Sequence, residues 1–214
     1  MQPLKKIVLA SGNKGKLREF NALFSPLNIE LISQHALDIP DAPEPHPTFI
    51  ENALTKARHA SLLSGLPAIA DDSGICVTAL HGEPGIHSAR YAQAADGTRS
   101  DTANNQKLIA ALQAVTDRSA WYVAVLVLVT RPEDPQPVIA ECMWSGELLD
   151  APRGDHGFGY DPYFYLPEQG CTAAELAPEI KNKISHRGQA MQLMIRQLQA
   201  RGLIAPRCGL VVSA

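Results

Sequence analysis

Cysteine is scarce in this sequence, and the residues present show no paired spacing: Cys76, Cys142, Cys171 and Cys208. This scatter excludes a disulfide framework and a cysteine-rich zinc site, and it is typical of reduced thiols in a cytosolic protein. The chain also lacks any apolar run that approaches the length of a membrane span. Its first residues carry no hydrophobic signal region, so we expect a cytoplasmic protein that does not enter a membrane.

Basic residues do not outnumber acidic ones: 19 Lys and Arg stand against 22 Asp and Glu, and the formal net charge is −3. A chain with this balance has no overall basic field to hold nucleic acid. Its 214 residues, 45% of them hydrophobic, are enough to bury a sizeable core. This length suits one large domain or two lobes that share a sheet.

The sequence also lacks a P-loop, a motif that needs four residues between its glycines and a Ser or Thr after its Lys. It has instead the segment Ser11-Gly12-Asn13-Lys14-Gly15-Lys16, between a predicted strand at residues 7–10 and apolar residues at helical spacing. Backbone N–H groups at such a helix start form an anion site, and a lysine adds full charge. We interpret the segment as a phosphate-binding loop; a glycine-containing βα turn with surface lysines is the alternative.

Two adjacent acids, Asp71 and Asp72, follow the apolar residues 66–70. Side-by-side carboxylates where a buried strand meets a turn repel each other, and burial disfavours their ionised forms. A bound divalent cation offsets both costs. Because neighbouring side chains of an extended segment point to opposite faces, we expect one acid to face a cleft and the other to be held in the scaffold. An ordinary Asp-Ser-Gly turn is the alternative.

A stiff acidic loop and a helix precede this pair. The prolines of residues 38–47 forbid a helix there, and the loop can present a carboxylate such as Glu44 to a metal ion; a solvated acidic loop is the alternative. Thr48 and Glu51 then form a capping-box pattern that opens a helix. On that helix Asn52 and Lys56 lie one turn apart and face the same way, either towards a site or towards solvent.

Two later segments carry further polar and aromatic candidates. In the loop at residues 157–162 the glycines allow close approach to a ligand, Phe158 or Tyr160 can stack on a purine, and Asp161 can accept hydrogen bonds. A tight turn is the alternative. His186 and Arg187 fall in the first turn of the last predicted helix, where the helix dipole disfavours cations and a nearby anionic or polar ligand would offset that effect. A surface pair is the alternative.

Together these stretches resemble the inosine triphosphate pyrophosphatase family, also called XTP/dITP diphosphatases. The resemblance covers roughly residues 6–201. The matching segments, in the family's order, are Ser11 to Lys16, Thr48 to Ala53, Ala70 to Gly74, Ser88 to Tyr91, Gly157 to Pro162 and Ser185 to Arg187.

The resemblance implies an α/β fold with two lobes, a long mixed β-sheet flanked by helices and a central substrate cleft. It also implies a homodimer. We therefore expect residues 1–202 to form one two-lobed domain and residues 203–214 to be a C-terminal tail without an assigned role. The implied reaction hydrolyses the non-canonical purine nucleotides ITP, dITP and XTP to the monophosphate plus pyrophosphate with Mg²⁺, which removes them from the nucleotide pool.

The family's roles carry over by position. Glu44 and Asp72 would hold the metal, Asp72 would also be the proton acceptor, and Lys56 is a further candidate near the phosphates. The implied substrate-binding residues are Ser11, Gly12, Asn13, Lys14, Gly15, Lys16, Ser73, Phe158, Gly159, Tyr160, Asp161, Lys181, His186 and Arg187. Within this set we expect Phe158 to set purine affinity, and His186 and Arg187 to set selectivity for a 6-oxo group.

Two other classes of function fit parts of the pattern. A nucleotide-binding regulatory module would use the same loops without turnover. A kinase-like phosphoryl transferase would also bind a nucleoside triphosphate, but the missing P-loop argues against it. Release of pyrophosphate separates the enzyme from the regulatory module.

Overall fold

The computed structural model describes residues 3–94 and 97–205, and within them one mixed sheet has seven strands. The strands are β1 Lys6–Leu9, β2 Glu30–Ser33, β3 Ala68–Val77, β4 Ser119–Val129, β5 Val138–Leu148, β6 Phe164–Leu166 and β7 Cys171–Thr172. Their order is β2-β1-β3-β4-β5-β6-β7. The β2, β1 and β3 pairings are parallel and the others antiparallel. The predicted α/β architecture with a long mixed sheet is confirmed.

Helices cover both faces of this sheet. They are α1 Lys14–Phe24, α2 Phe49–Ser64, α3 Asp101–Ala111, α4 Pro178–Ile184 and α5 His186–Ala200. The Thr48 N-cap predicted for α2 is present, since Glu51 N donates to Thr48 Oγ1 at 3.3 Å. Glu51 Oε2 accepts from the Thr48 hydroxyl at 2.6 Å, whereas in a capping box it would accept from the Thr48 backbone N–H. Gly65 ends this helix at a φ of 68°. Throughout residues 3–94 and 97–205, no helix combines the length and apolar character needed to cross a membrane.

The helices pack on the sheet through separate apolar clusters. On one face, Phe20 of α1 and Met191 of α5 meet Leu126 of β4. On the other face, the alanines of α2 lie against Val8 and Val125, so this helix approaches the sheet closely. A third apolar cluster lies around α3 and the first residues of β4, beyond the end of β1.

Several predicted boundaries differ from the structure. The acid pair was expected where a strand meets a turn, but β3 runs through it, because residues Asp71 to Gly74 pair with β4 without interruption. Helix α3 begins at Asp101, where Ser100 caps it: Ser100 Oγ accepts a hydrogen bond from Ala103 N. The short helix α4 was not predicted.

The C-terminal boundary also differs. Residues from 203 onward were predicted to be a tail, yet Leu203 and Ile204 are buried in the core, and Leu4 N donates to the Leu203 carbonyl at 2.7 Å. The rest of the predicted tail, residues 206–214, lies outside the described residues, as does Cys208.

The segment around Gly85 and Ser88 approaches β3 closely at Gly74. This close contact gives a first prediction. A Cβ at this position would lie 2.5 Å from Ser88 Oγ and closer still to the Gly85 carbonyl oxygen. Because the carbonyl belongs to backbone, we expect Gly74→Ala to lower the free energy of unfolding by about 1–3 kcal/mol. Urea denaturation measures this change, and an unaltered midpoint would contradict it.

Candidate active site

A cleft of about 780 Å³ opens where β1 ends beside β3. The last paired residues of these strands are Leu9 and Ile69, so Asp71 and Asp72 stand just beyond the pairing. The cleft wall includes residues from every stretch singled out in the sequence: the glycine loop, the acidic loop, α2, the acid pair, the aromatic glycine loop and the start of α5. The central cleft expected from the sequence is therefore present.

The two acids do point to opposite faces, as predicted. Asp71 Oδ2 meets Lys16 Nζ of α1 at 2.8 Å and Arg187 Nε of α5 at 3.0 Å. Asp72 Oδ1 meets Lys56 Nζ of α2 at 2.6 Å, on the other face. Asp71 is thus held in the scaffold by two cations.

Asp72 belongs to a line of alternating charges. Lys56 Nζ joins it to Glu44 Oε1 at 3.0 Å, and Glu44 Oε2 accepts a hydrogen bond from Arg90 Nη1 at 2.6 Å. Asn52 fixes the acidic loop two residues beyond Glu44, because its side-chain amide accepts from His46 N and donates to the His46 carbonyl. Two elements, α2 and the 3-10 helix Gly85–Arg90, therefore bring Glu44 to the cleft.

The carboxylates of this cleft have different pKa values for identifiable reasons. Burial would raise the pKa of Glu44, but Lys56 and Arg90 lower it to about 2. Burial likewise opposes ionisation of Asp71, yet the Lys16 and Arg187 charges hold its pKa well below the usual range. For Asp72 burial prevails over Lys56, so its pKa is raised. Glu44 and Asp71 are thus strongly ionised, whereas the neighbouring Asp72 binds protons more readily.

The glycine loop is preorganised by its own side chains. Asn13 Oδ1 accepts hydrogen bonds from Gly15 N at 2.8 Å and Lys16 N at 3.1 Å, and Ser11 Oγ accepts from Asn13 N at 3.2 Å. The Lys16 side chain also reaches β3. Burial lowers the pKa of its ammonium there, and the negative charge of Asp71 partly offsets that effect. Gly12 is in close contact with His35, where a Cβ would overlap the imidazole. Lys14 begins α1, and its side chain lies outside what the structure describes.

Arg187 links three elements at the base of the cleft. Besides Asp71, its guanidinium donates to Glu19 of α1 and to Ser73 Oγ of β3, the latter at 3.0 Å. The neighbouring His186 is buried and stacks on Tyr122, with ring centroids 4.5 Å apart. Burial, reinforced by Arg187, holds the pKa of His186 well below its usual value. The cationic pair expected here is thus one cation and one neutral imidazole.

The aromatic glycine loop forms the opposite wall. Phe158 is half-buried, lies against Gly15 and has Lys181 Nζ 5.2 Å from its ring centroid. Asp161 binds Lys181 Nζ at 2.5 Å and accepts from Phe158 N at 2.8 Å. Tyr160 is buried in the core, where its hydroxyl donates to the Ser88 carbonyl at 2.8 Å. Of the two predicted aromatics, Phe158 is therefore the one whose side chain is partly exposed in the cleft.

Side chains outside the predicted set hold these walls in place. Asp101 Oδ2 accepts from Gly159 N at 2.9 Å, and Asn105 Nδ2 donates to the Gly159 carbonyl at 2.9 Å. Glu19 and Arg90 complete the ion pairs described above. For Arg90 the sequence offered one indication, since it lies in a segment that matched the family pattern. Nothing in the local sequence around Glu19, Asp101 or Asn105 indicates their roles.

The donor set at Glu44 and Asp72 is compatible with a magnesium ion. Asp72 Oδ2 is buried and has no hydrogen-bond partner within the described ranges. Residues 3–94 and 97–205 contain no group of three or more His, Cys, Asp or Glu side chains that could hold a metal on their own. Two carboxylates are nevertheless what Mg²⁺ uses when substrate phosphates supply the other ligands.

Comparison with known proteins gives a consistent result. A family model described as the Ham1 family matches residues 7–197. The chain is 63% identical over 199 residues to a Bordetella pertussis protein named dITP/XTP pyrophosphatase, covering 93% of each. It is 61% identical over 194 residues to a protein of the same name from Neisseria meningitidis serogroup B, covering 91% of this chain and 96% of the relative. A solved HAM1 protein from Coxiella burnetii shares 46% identity at a TM-score of 0.83, covering 92% of this chain and all of that one.

Proposed function

Because the chain belongs to the Ham1 family, we propose that it hydrolyses dITP, XTP and ITP to the nucleoside monophosphate and pyrophosphate. The observation that carries this proposal is the single cleft in which the glycine loop, the Glu44–Lys56–Asp72 line and the aromatic loop face one another. The names of the relatives supply the substrate class, dITP and XTP. ITP differs from dITP only in its sugar hydroxyl.

The triphosphate would lie along the glycine loop. Ser11 and Gly12 line the cleft there, and the ammonium of Lys16 sits at its floor beside Asp71. Ser73 lines the same floor, where Arg187 orients its hydroxyl. The base would lie against Phe158, with His186 and Arg187 nearby and the Asp161–Lys181 pair behind.

Asp72 is the proposed proton acceptor. In the reaction, a water oxygen bonds to the α-phosphorus, the bond from that phosphorus to the bridging oxygen breaks, and pyrophosphate departs. The water proton would pass to the carboxylate of Asp72, whose Oδ2 is unpartnered among the residues described. The Lys16 ammonium would stabilise the negative charge that builds on the leaving phosphates.

Glu44 and Asp72 are the residues that would hold Mg²⁺. When bound, the ion would offset charge on the phosphates and the leaving pyrophosphate. Arg90 keeps the Glu44 carboxylate in position from the side away from Asp72. From the resemblance we further propose that the chain works as a homodimer on the cytoplasmic nucleotide pool.

Selectivity for a 6-oxo purine would come from the donors beside Phe158. A site whose donors are satisfied by a 6-oxo acceptor leaves them unpaired when adenine presents an amino group. His186 and Arg187 line the same cleft, and the Arg187 guanidinium carbon lies 5.7 Å from the Phe158 ring centroid. Guanine shares the 6-oxo group, so its 2-amino group would have to be the feature that is rejected.

The test of this function is a panel of nucleoside triphosphates. Purified protein with Mg²⁺ is incubated separately with dITP, XTP, ITP, GTP and ATP, and both pyrophosphate and monophosphate are quantified. We expect rapid, equimolar formation of both products from the first three substrates. Tight binding of dITP without any pyrophosphate would instead identify a regulatory module, and release of inorganic phosphate with a diphosphate would identify a different phosphohydrolase.

Lys16 gives a prediction about the phosphate subsite. We expect Lys16→Met to weaken binding of a non-hydrolysable ITP analogue by roughly tenfold or more, as loss of a charged hydrogen bond does. Inosine, which has no phosphate, should bind almost as before. Calorimetric titration of both ligands measures the difference, and equal losses for the two would show that Lys16 acts through the fold.

A further inference from the structure

Lys56 is bound in a way that resembles the coordination of a metal ion. Its Nζ lies 3.0 Å from Glu44 Oε1, 2.6 Å from Asp72 Oδ1 and 3.0 Å from the Asp71 carbonyl oxygen. These oxygens come from the acidic loop and from β3, so the ammonium joins two segments of the cleft. Its side chain is only 12% exposed.

This arrangement uses the full donor capacity of the lysine. An ammonium group has three N–H donors and no acceptor, and it has three acceptors in the cleft. While these contacts persist, Lys56 has no N–H left for a phosphate. It can therefore neutralise the carboxylates or bind substrate, but it cannot do both at once.

The two carboxylates held by Lys56 are the same pair that would hold Mg²⁺. A divalent cation and an ammonium group repel each other at such distances, and they compete for the same oxygens. Glu44 would not move with the lysine, because Arg90 holds its other oxygen at 2.6 Å. Asp72 is part of β3, and its Oδ2 has no partner among the residues described.

We propose that Lys56 is a resident counter-ion that a divalent cation displaces from Glu44 and Asp72, and that its displacement frees the ammonium for a phosphate of the incoming nucleotide. This inference rests on the proposed function, because it concerns the same cleft. The exchange keeps the carboxylates neutralised in both states, so the cleft stays folded without metal. It also makes metal binding and phosphate binding favour each other. The metal frees the Lys56 ammonium for the phosphate, and the phosphate draws that ammonium away from the carboxylates that bind the metal.

The direct test is Mn²⁺ binding in the absence of nucleotide. We expect Lys56→Met, which removes the competing charge and nearly preserves side-chain volume, to bind Mn²⁺ about tenfold or more tightly than the wild type. Electron paramagnetic resonance of free Mn²⁺ measures the affinity. The matched control is Lys183→Met, which removes the same charge from an exposed position; it should change the affinity by less than about twofold because surface charge is screened.

An affinity of Lys56→Met equal to or weaker than that of the control would overturn the proposal, and so would an absence of Mn²⁺ binding. Should Lys56→Met fail to fold, the wild type still decides the question by ¹⁵N NMR of lysine ammonium groups. A buried, fully hydrogen-bonded ammonium should give a slowly exchanging signal that disappears or shifts as Mg²⁺ is added. A signal that Mg²⁺ at saturation leaves unchanged would contradict displacement.

These outcomes are separable from the failure of the proposed function. If wild-type protein releases pyrophosphate from dITP but Lys56→Met shows no tighter Mn²⁺ binding, the counter-ion role alone is wrong. If no triphosphate in the panel yields pyrophosphate, the proposed function is wrong whatever Mn²⁺ does.

Discussion

Replacing Asp72 with Asn should remove almost all turnover and leave the protein folded. Asn cannot accept a proton from water, and it is a poorer ligand for Mg²⁺ than a carboxylate. Loss of a general base alone lowers rates by roughly 10²–10⁴-fold. Burial raises the pKa of Asp72 despite Lys56, and Lys56 keeps Glu44 and the Asp71 carbonyl as partners when the Asp72 charge is removed. We therefore expect the metal-free Asp72→Asn protein to lose less stability than a variant that breaks the ion pairs of Asp71.

Asp71→Asn is the matched control, because it makes the same chemical change one residue away and on the opposite face of β3. Asp71 neutralises Lys16 and Arg187, and their charges hold its pKa well below the usual range. Breaking a buried ion pair of this kind costs about 3–5 kcal/mol. We expect Asp71→Asn to lower the melting temperature by on the order of 10 °C, while pyrophosphate release at low temperature falls less than in Asp72→Asn.

Two measurements on both variants test these expectations. One is pyrophosphate release from dITP, and the other is thermal unfolding without added metal. Near-wild-type turnover by Asp72→Asn would show that the Asp72 carboxylate is not needed for the reaction. If the two variants lost the same amount of stability and the same amount of activity, the opposite orientations of the acids would have no functional meaning.

The local features of the fold were readable from the sequence because they depend on neighbouring residues. Thr48 and Glu51 predicted the start of α2, and the helix begins at Phe49, directly after Thr48. The alternation of side chains along a strand predicted that Asp71 and Asp72 point to opposite faces, which the salt bridges confirm. The family resemblance was likewise recognised from short segments, and the comparisons confirm it.

What the sequence did not predict depends on partners distant along the chain. Asp71 to Gly74 have the composition of a turn, yet pairing with β4 keeps them extended. Arg187 was expected to face a ligand, but the charges that it neutralises are 116 and 168 residues away. His186 was expected to be charged because local context says nothing of burial beneath Tyr122. Tertiary contacts decided each of these cases.

Arg187→Ala should lower stability by about as much as Asp71→Asn. The guanidinium donates to Asp71, Glu19 and Ser73, so it ties α5 to α1 and β3 in a region where Arg187 and Asp71 are both almost fully buried. Its removal leaves Glu19 without its cation and Asp71 with Lys16 alone, and breaking buried ion pairs of this kind costs about 3–5 kcal/mol. We expect the melting temperature to fall by on the order of 10 °C. A fall of less than about 2 °C, the change expected from well under 1 kcal/mol, would contradict this structural role.

The same variant tests whether Arg187 also reads the base. Arginine has five N–H donors, and three hydrogen bonds to the protein leave donors available beside Phe158. We expect Arg187→Ala, assayed well below its melting temperature, to lower kcat/KM for ITP more than for ATP, because only ITP offers a 6-oxo acceptor. Phe158→Ala is the control, since stacking is worth about 1–3 kcal/mol for any base and should lower both values by similar factors. If Phe158→Ala changes the ITP/ATP ratio and Arg187→Ala does not, the aromatic ring selects the base and the arginine serves only the fold.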